Sequence, residues 1–410
     1  MKNEFQENRA VNWILINPII RVITLSLILL PSIFLVRAQD EIESSNWHDN
    51  IKIGGYMQVR YNGLFETNPD LDCEQCDENW SRESNGLSFR RIRFSLKGQI
   101  SPRVSFYFQP DFAKSIGNSH HVASLKDAYF DLGLDKKNEF RLRIGQSKVP
   151  YGFDNIQSSS NRIPLDRSDA LNSGLKDERD LGVFMYWATQ EKRELIHNLR
   201  KSGLSGGDFG LFAFGFYNGQ TANHLDQNSN FHIVSRFSYP FEVGNQVIET
   251  GIQAYYGKYV VTEHSPTIEV NENGYLDQRT ALSFILYPQP FGIQAEYNIG
   301  KGPEFDKTSN TIQVKTLQGG YATFSYFLEK WDQQFYPFVR LQYYDGGKKH
   351  ELDARSYTVM DTEIGIEWHP LPKFEILVEY TFSDRRYEDF ENPINHQVGS
   401  LMRIQAQLKF

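Results

Sequence analysis

The sequence predicts an all-β protein: a 16-stranded antiparallel up-and-down transmembrane β-barrel with long extracellular loops and short periplasmic turns. Three observations point there. The last ten residues, LMRIQAQLKF, place Met402, Ile404, Ala406, Leu408 and Phe410 on one face and Arg403, Gln405, Gln407 and Lys409 on the other. Period two means a strand with one apolar and one wet face, and the pattern recurs along the chain. The connections between such segments mostly alternate long and short, as in an outer-membrane barrel. Mean hydropathy is −0.51, yet 14 % of residues are aromatic, with 22 Tyr and 30 Phe. That excludes a helical membrane protein and suits strands that are only half apolar. A terminal strand with a free edge would invite aggregation, so the last strand is expected to pair with the first and close the ring.

Residues 1–38 read as a secretory signal peptide. The apolar run VITLSLILLPSIFLV (22–36) follows Lys2, Arg9 and Arg21 and precedes Val36-Arg37-Ala38, a small-residue cleavage pattern. Fifteen apolar residues with an internal Pro fall short of the roughly 20 that a membrane-spanning helix needs. Residues 39–50 are expected to form a short periplasmic segment, and 51–410 the barrel. Removing 1–38 takes away four basic and two acidic residues, so the formal charge moves from −8 to about −10. An exported acidic chain is not a general nucleic-acid binder. The only cysteines, Cys73 and Cys76, lie in the acidic stretch DLDCEQCDEN. A local disulfide is open to them in an oxidising compartment, at the cost of a small ring. Two thiols are too few for a structural zinc site.

Sixteen strands are predicted near 51–65, 88–100, 103–113, 123–134, 139–149, 180–189, 207–219, 230–240, 246–260, 279–288, 291–300, 313–328, 335–345, 357–369, 372–383 and 400–410. The first, IKIGGYMQVRYNGLF, turns Ile51, Ile53, Met57, Val59, Tyr61 and Phe65 one way and Lys52, Tyr56, Gln58, Arg60 and Asn62 the other. Expected long loops are 66–87, 114–122, 150–179, 261–278, 301–312 and 384–399. Expected tight turns lie at Ser101-Pro102, at 135–138, at 288–290 and at Pro370-Leu371. The stretch 190–206 falls on the short-turn side although it is long, which suggests a small periplasmic helix.

Basic residues collect on the predicted inner faces. Arg91, Arg93 and Lys97 form a row on the second strand, and Arg141 and Arg143 another on the fifth. Two arrangements are open. The rows could attract anions through the pore. Alternatively they could be neutralised across strands, Arg91 by Asp111, and Arg141 or Arg143 by Asp131. The loop 150–179 carries Arg162, Arg167, Lys176 and Arg179 among five acidic residues, and is expected to fold into the lumen as a constriction. Tyr56, Tyr107 and Tyr129 point inward by parity, which keeps a carbohydrate or oligosaccharide channel as the alternative function. A barrel enzyme or a surface adhesion barrel is less supported. No serine elbow motif accompanies His232. His120-His121 falls in a predicted loop, and GGKKH (346–350) reads as a basic loop tip with no helix behind it.

The segments RRIRFSLKGQISPRVSFYFQPDFA (90–113), LKDAYFDL (125–132) and RLRIGQSKVPYGFDN (141–155) resemble the phosphate-selective porin O/P family of outer-membrane channels. DLGVFMYW (180–187), FGFYNG (214–219), QAEYNIGKGPE (294–304), GGYATFSYF (319–327) and IGIEWHPLPKFEILVEYTFSD (364–384) extend the resemblance over most of the mature chain. The resemblance implies a porin in the outer membrane of a Gram-negative bacterium, surrounded by lipid and assembled as a homotrimer. It implies diffusion of small hydrophilic solutes, anions such as phosphate included, with the third loop turned inward. It adds Lys148 to Arg91, Arg93, Arg141 and Arg143 as candidate lining residues. No catalytic residue, metal or cofactor is expected. The acidic mature charge departs from what a dedicated phosphate channel suggests.

Overall fold

The computed structural model describes residues 47–71, 73, 86–116, 119–175, 178–201 and 207–410. The signal segment, most of 39–50, Cys76, the side chain of His120 and Lys176 lie outside the described residues. Cys73 is disulfide-bonded and packs on Leu71 and Leu401.

The chain runs through β1 (Lys52–Leu64), β2 (Leu87–Ser101), β3 (Val104–Ile116), β4 (Ser119–Gly133), β5 (Phe140–Lys148) and β6 (Arg179–Trp187). Next come β7 (Phe212–Tyr217), β8 (His232–Val243), β9 (Gln246–Tyr259), β10 (Tyr275–Leu286), β11 (Phe291–Asp306) and β12 (Thr311–Tyr326). The remainder is β13 (Leu328–Lys330), β14 (Gln333–Gly347), β15 (Ser356–Leu371), β16 (Phe374–Glu388) and β17 (His396–Lys409). Apart from β12 and β13, consecutive strands pair antiparallel, and β1 pairs with both β2 and β17, so the sheet closes on itself. β12 and β13 both pair with β14 and form one interrupted stave, which makes the closed barrel sixteen staves round.

Closure uses the terminal residue. The Phe410 amide donates to the Gly55 carbonyl (3.0 Å), and the Gly55 amide donates to the Phe410 carbonyl (3.1 Å). A Cβ on residue 55 would lie 2.7 Å from the Phe410 ring and 2.2 Å from the Arg93 carbonyl. Glycine therefore lets the aromatic ring lie across the seam, where it meets Phe94 edge-on at 5.5 Å.

The two faces invert the soluble pattern. Five of the largest fully enclosed side chains are arginines: Arg60, Arg279, Arg340, Arg385 and Arg403. Phe94, Phe130, Phe216, Phe237, Ile252, Leu282, Phe324 and Ile364 are exposed on the outside, where hydrocarbon replaces water as the solvent.

Three predicted connections contract. The loop expected at 301–312 is a tight hairpin at 307–310, because β11 and β12 are each 16 residues long. The one expected at 384–399 shrinks to 389–395, and 114–122 becomes the close approach of β3 and β4. These strands run on beyond the apolar band. There both faces are wet, so the alternation that marks a strand fades while the backbone ladder continues. In the reverse sense, the strand expected over 207–219 is only the six residues of β7.

Candidate functional site

The loop between β5 and β6 crosses the lumen and contains two single-turn helices, α1 (Phe153–Ile156) and α2 (Asp169–Asn172). Inward side chains of the opposite wall hold it. Glu296 on β11 accepts hydrogen bonds from the amides of Phe153 (2.6 Å) and Asp154 (2.9 Å). Gln342 on β14 accepts from the Asp169 amide (3.0 Å), and Glu379 on β16 from the Leu165 amide (2.9 Å). Asp166 accepts from Arg60 on β1 (3.2 Å), is 3.6 Å from Arg90 on β2, and pairs closely with Arg403 on β17. Asp169 accepts from Arg385 on β16 (2.9 Å) and Lys348 (2.6 Å). Tyr151, Ala170, Leu171 and Leu175 join Tyr217, Tyr255, Tyr321, Tyr344 and Tyr357 of the wall in one buried cluster. The β10–β17 side of the lumen is thereby filled.

The open space lies on the side of β2 to β6. A cavity of about 770 Å³ is bounded by those strands, the loop residues Ser158–Asn161 and a third helix, α3 (Gln190–Lys201), in the stretch expected to form a periplasmic helix. It includes the turn residues Pro102, Arg103, Lys137 and Asn138, so it is the vestibule at the short-turn end. α3 docks Leu199 beneath the crossing loop, against Phe153, Val247, Ile285 and Tyr287. Its Arg193 donates to Asp208 (2.9 Å), which also accepts from Arg141 (2.7 Å).

Of the nine basic residues singled out from the sequence, Arg93, Lys97, Arg141, Arg143, Lys148 and Arg179 line this vestibule. Arg91, Arg162 and Arg167 are not among its lining residues. Arg91 donates to Gln58 (2.8 Å). Arg162 donates to the carbonyls of Pro164 (3.1 Å) and Leu165 (2.6 Å) and so braces the loop from within. Arg167 pairs with Glu178 and donates to the Asp154 carbonyl.

Cross-strand pairing is present, with one correction. Asp111 faces Arg93, at 2.6 Å, instead of the expected Arg91. The hairpin turns between the paired Ser101 and Val104, later than the expected Ser101-Pro102, and a one-residue register shift between Gln99 and Ser101 follows; the net displacement of the partner is two residues. A tight-turn count cannot register such a bulge. Asp131 takes Arg143 in a two-pronged pair (2.8 and 2.9 Å), with the guanidinium 3.9 Å from the centre of the Tyr129 ring. Arg179 pairs with Asp127 at 2.9 Å. Lys148 donates to three carbonyls at the end of α1. Lys97 has no carboxylate partner among the described residues.

A further correction concerns GGKKH. Lys348 and Lys349 are not a solvated loop tip. They turn inward, 2 % exposed, and pair with Asp169 and Asp277. Arg60, Arg340, Arg385 and Arg403 also went unremarked as loop anchors. Their inward parity was legible, but their partners come from a loop whose path is not periodic.

Counting the lining side chains, the vestibule has eleven basic residues against four acidic ones, inside a chain of formal charge −8. Tyr56, Tyr107 and Tyr129 are part of the same lining, with the last two rings 5.5 Å apart.

The fold is shared with solved porins. The outer membrane channel DcaP of Acinetobacter baumannii matches with a TM-score of 0.54 at 12 % identity, over 88 % of this chain and 97 % of that one. OmpF of Salmonella typhi, solved with daunomycin, gives 0.52 at 11 %, over 89 % and 99 %. An anion-selective porin from Comamonas acidovorans gives 0.50 at 10 %, over 88 % and 99 %. Comparison with curated proteins finds no match. Residues 65–410 match the family described as phosphate-selective porin O and P. With an edgeless barrel, an apolar exterior and a charged lumen crossed by a loop, the chain belongs to that porin family: it is an outer-membrane diffusion channel, not an enzyme.

Proposed function

We propose that the channel favours small anions of the phosphate class, guided by the basic vestibule beneath the crossing loop. The observation that carries this is the local excess of eleven basic over four acidic side chains in a chain that is acidic overall. Permeating ions respond to the charge that faces the path, and low-dielectric walls strengthen its field. Arg93, Arg141, Arg143, Lys148 and Arg179 are the proposed lining cations, with Lys97 at the exit. Arg162 and Arg167 are proposed to act indirectly, by holding the loop that constricts the pore. The similarity in fold to an anion-selective porin agrees with this reading. A homotrimer, implied by the family resemblance, is part of the same proposal.

Reversal potentials across a planar bilayer under a salt gradient test the selectivity, with chloride replaced by phosphate in a second series. Anion preference is expected in both, and a cation preference at low salt overturns the proposal. Native-mass measurement of the detergent-extracted channel tests the trimer. The paired Tyr107 and Tyr129 rings in the same lining favour a second reading, passage of sugars that stack on aromatic faces. Liposome swelling in oligosaccharide, lost in Tyr107→Ala, would support it over the first.

A further inference from the structure

We propose a transition-metal site at the periplasmic rim of the lumen, formed by Glu367, His369 and Glu375 and suited to Zn²⁺. Glu367 and His369 occupy successive inward positions near the end of β15, and Glu375 is inward on β16, just past the tight turn at 372–373. The ligand atoms of the three side chains all lie within 4.8 Å of one another. His369 Nε2 is 2.5 Å from Glu367 Oε1 and 3.9 Å from Glu375 Oε2. A tetrahedral Zn²⁺ bonds nitrogen and oxygen at about 2.0–2.2 Å, which sets neighbouring ligand atoms about 3.4 Å apart. The observed separations bracket that value, so small side-chain rotations complete a three-ligand set and leave a fourth position open to the lumen.

Charge is the independent argument. Glu367 and Glu375 are only 7 % and 5 % exposed. Among the described residues, the cations at these carboxylates are the Lys409 ammonium, 3.2 Å from Glu375, and the His369 imidazole if it carries a proton. Two enclosed carboxylates need a second positive charge beside the lysine, which either a proton on His369 or a metal ion in its place provides. A cation held by His369 and both glutamates supplies it. The presence of imidazole selects a borderline metal over Mg²⁺ or Ca²⁺, which prefer all-oxygen sets. Bound metal would also neutralise the repulsive pair of carboxylates.

Calorimetric titration of the folded, detergent-solubilised, untagged barrel with ZnCl₂ tests this, with Mg²⁺ as the control. The expected result is one saturable Zn²⁺ site per chain that Mg²⁺ does not fill. His369→Ala and Glu367→Gln should each weaken it by about tenfold or more. Lys409→Met should tighten it, because the ammonium competes with the metal for Glu375; a purely structural ion-pair cluster predicts no such gain. Heat-modifiable migration checks that each variant has folded. If His369→Ala fails to insert, the Lys409→Met comparison decides alone. Absence of saturable binding, affinity indifferent to Glu367→Gln, or unchanged or weaker binding in Lys409→Met would overturn the site.

Discussion

Asp166 shows how one loop residue can be held by the whole far wall. Burial pushes its carboxyl up, but Arg60, then Arg403 and Arg90, outweigh that and hold it well below the ordinary carboxylate range. Asp169 is likewise held down to about 2 by Arg385 and Lys348 against its burial. A depressed carboxyl stabilises the folded state above its unfolded value, near 4, and loses that contribution as pH falls through the folded value. The loop should therefore remain docked at pH 4 and loosen near pH 2. Pepsin cleavage within 150–178 should appear only at the lower pH, and cleavage already at pH 4 would contradict the ion-pair account. Asp166→Asn removes the carboxylate that Arg60, Arg90 and Arg403 share, with Glu379 still held by Arg403, and should cost about 3–5 kcal/mol of docking, read as noisier and larger single-channel currents. A second residue-level prediction follows from the corrected register. Asp111→Ala frees Arg93 and should raise anion preference at low salt, whereas Arg93→Ala leaves the Asp111 carboxylate without its arginine behind the vestibule lining and should lower it. Reversal potentials of the two variants should move in opposite directions; a shared direction would show that the pair does not face the path. Which arginine meets Asp111 is beyond sequence reading, because the position of the β2–β3 turn and the one-residue shift at Gln99–Ser101 together set the count.

At the scale of elements, the strands were legible where one face meets lipid and the other water. β1, β11 and β17 follow the alternation read from the chain. The upper ends of β11 and β12 read as loop in the sequence because Lys301, Glu304, Gln313 and Lys315 crowd the few apolar residues there, such as Phe305 and Ile312, while the backbone pairs on to Asp306 and Thr311. The crossing loop announced itself by length alone; its anchors needed tertiary structure. α3 was visible as a connection too long for its side of the barrel, but its docking was not. Leu199 is 4 % exposed beneath the loop, so Leu199→Ala should weaken helix docking by about 2–5 kcal/mol. Faster proteolysis at 190–201 in the folded channel would report it, and protection equal to the parent would place the helix's anchorage elsewhere. At the closing seam, Phe410→Asp removes the contact with Phe94, worth about 0.5–1.5 kcal/mol beyond burial, and sets a charge where the barrel meets lipid. Assembly yield, measured as heat-modifiable barrel, should fall; normal yield would show that the backbone pairs to Gly55 suffice.

The molecule as a whole carries opposite charge signs on different scales. Composition reports the sum, −8, and by that number alone an anion channel looks unlikely. The strand pattern already set Arg91, Arg93, Arg141 and Arg143 inside, but not which parts of the interior the loop would fill. Once the loop occupies the β10–β17 side, much of the lumenal acid, including Glu296, Glu363, Glu379 and Asp361, is spent on holding the loop and its supporting arginines. The vestibule beside it is basic. The distinction has a measurable consequence. At physiological ionic strength fields reach about 8 Å, and at 1 M salt only about 3 Å. Selectivity set by vestibule charge must therefore fall as salt rises, while selectivity set by the width of the constriction does not. Reversal potentials taken from low salt to 1 M should show anion preference declining steadily toward that of free solution. Arg141→Ala combined with Arg143→Ala should remove much of the low-salt preference and change little at 1 M. A preference that persists undiminished at 1 M would assign discrimination to the crossing loop, whose residues 158–161 border the vestibule, and the vestibule charge would then serve only to hold the loop and α3 in place.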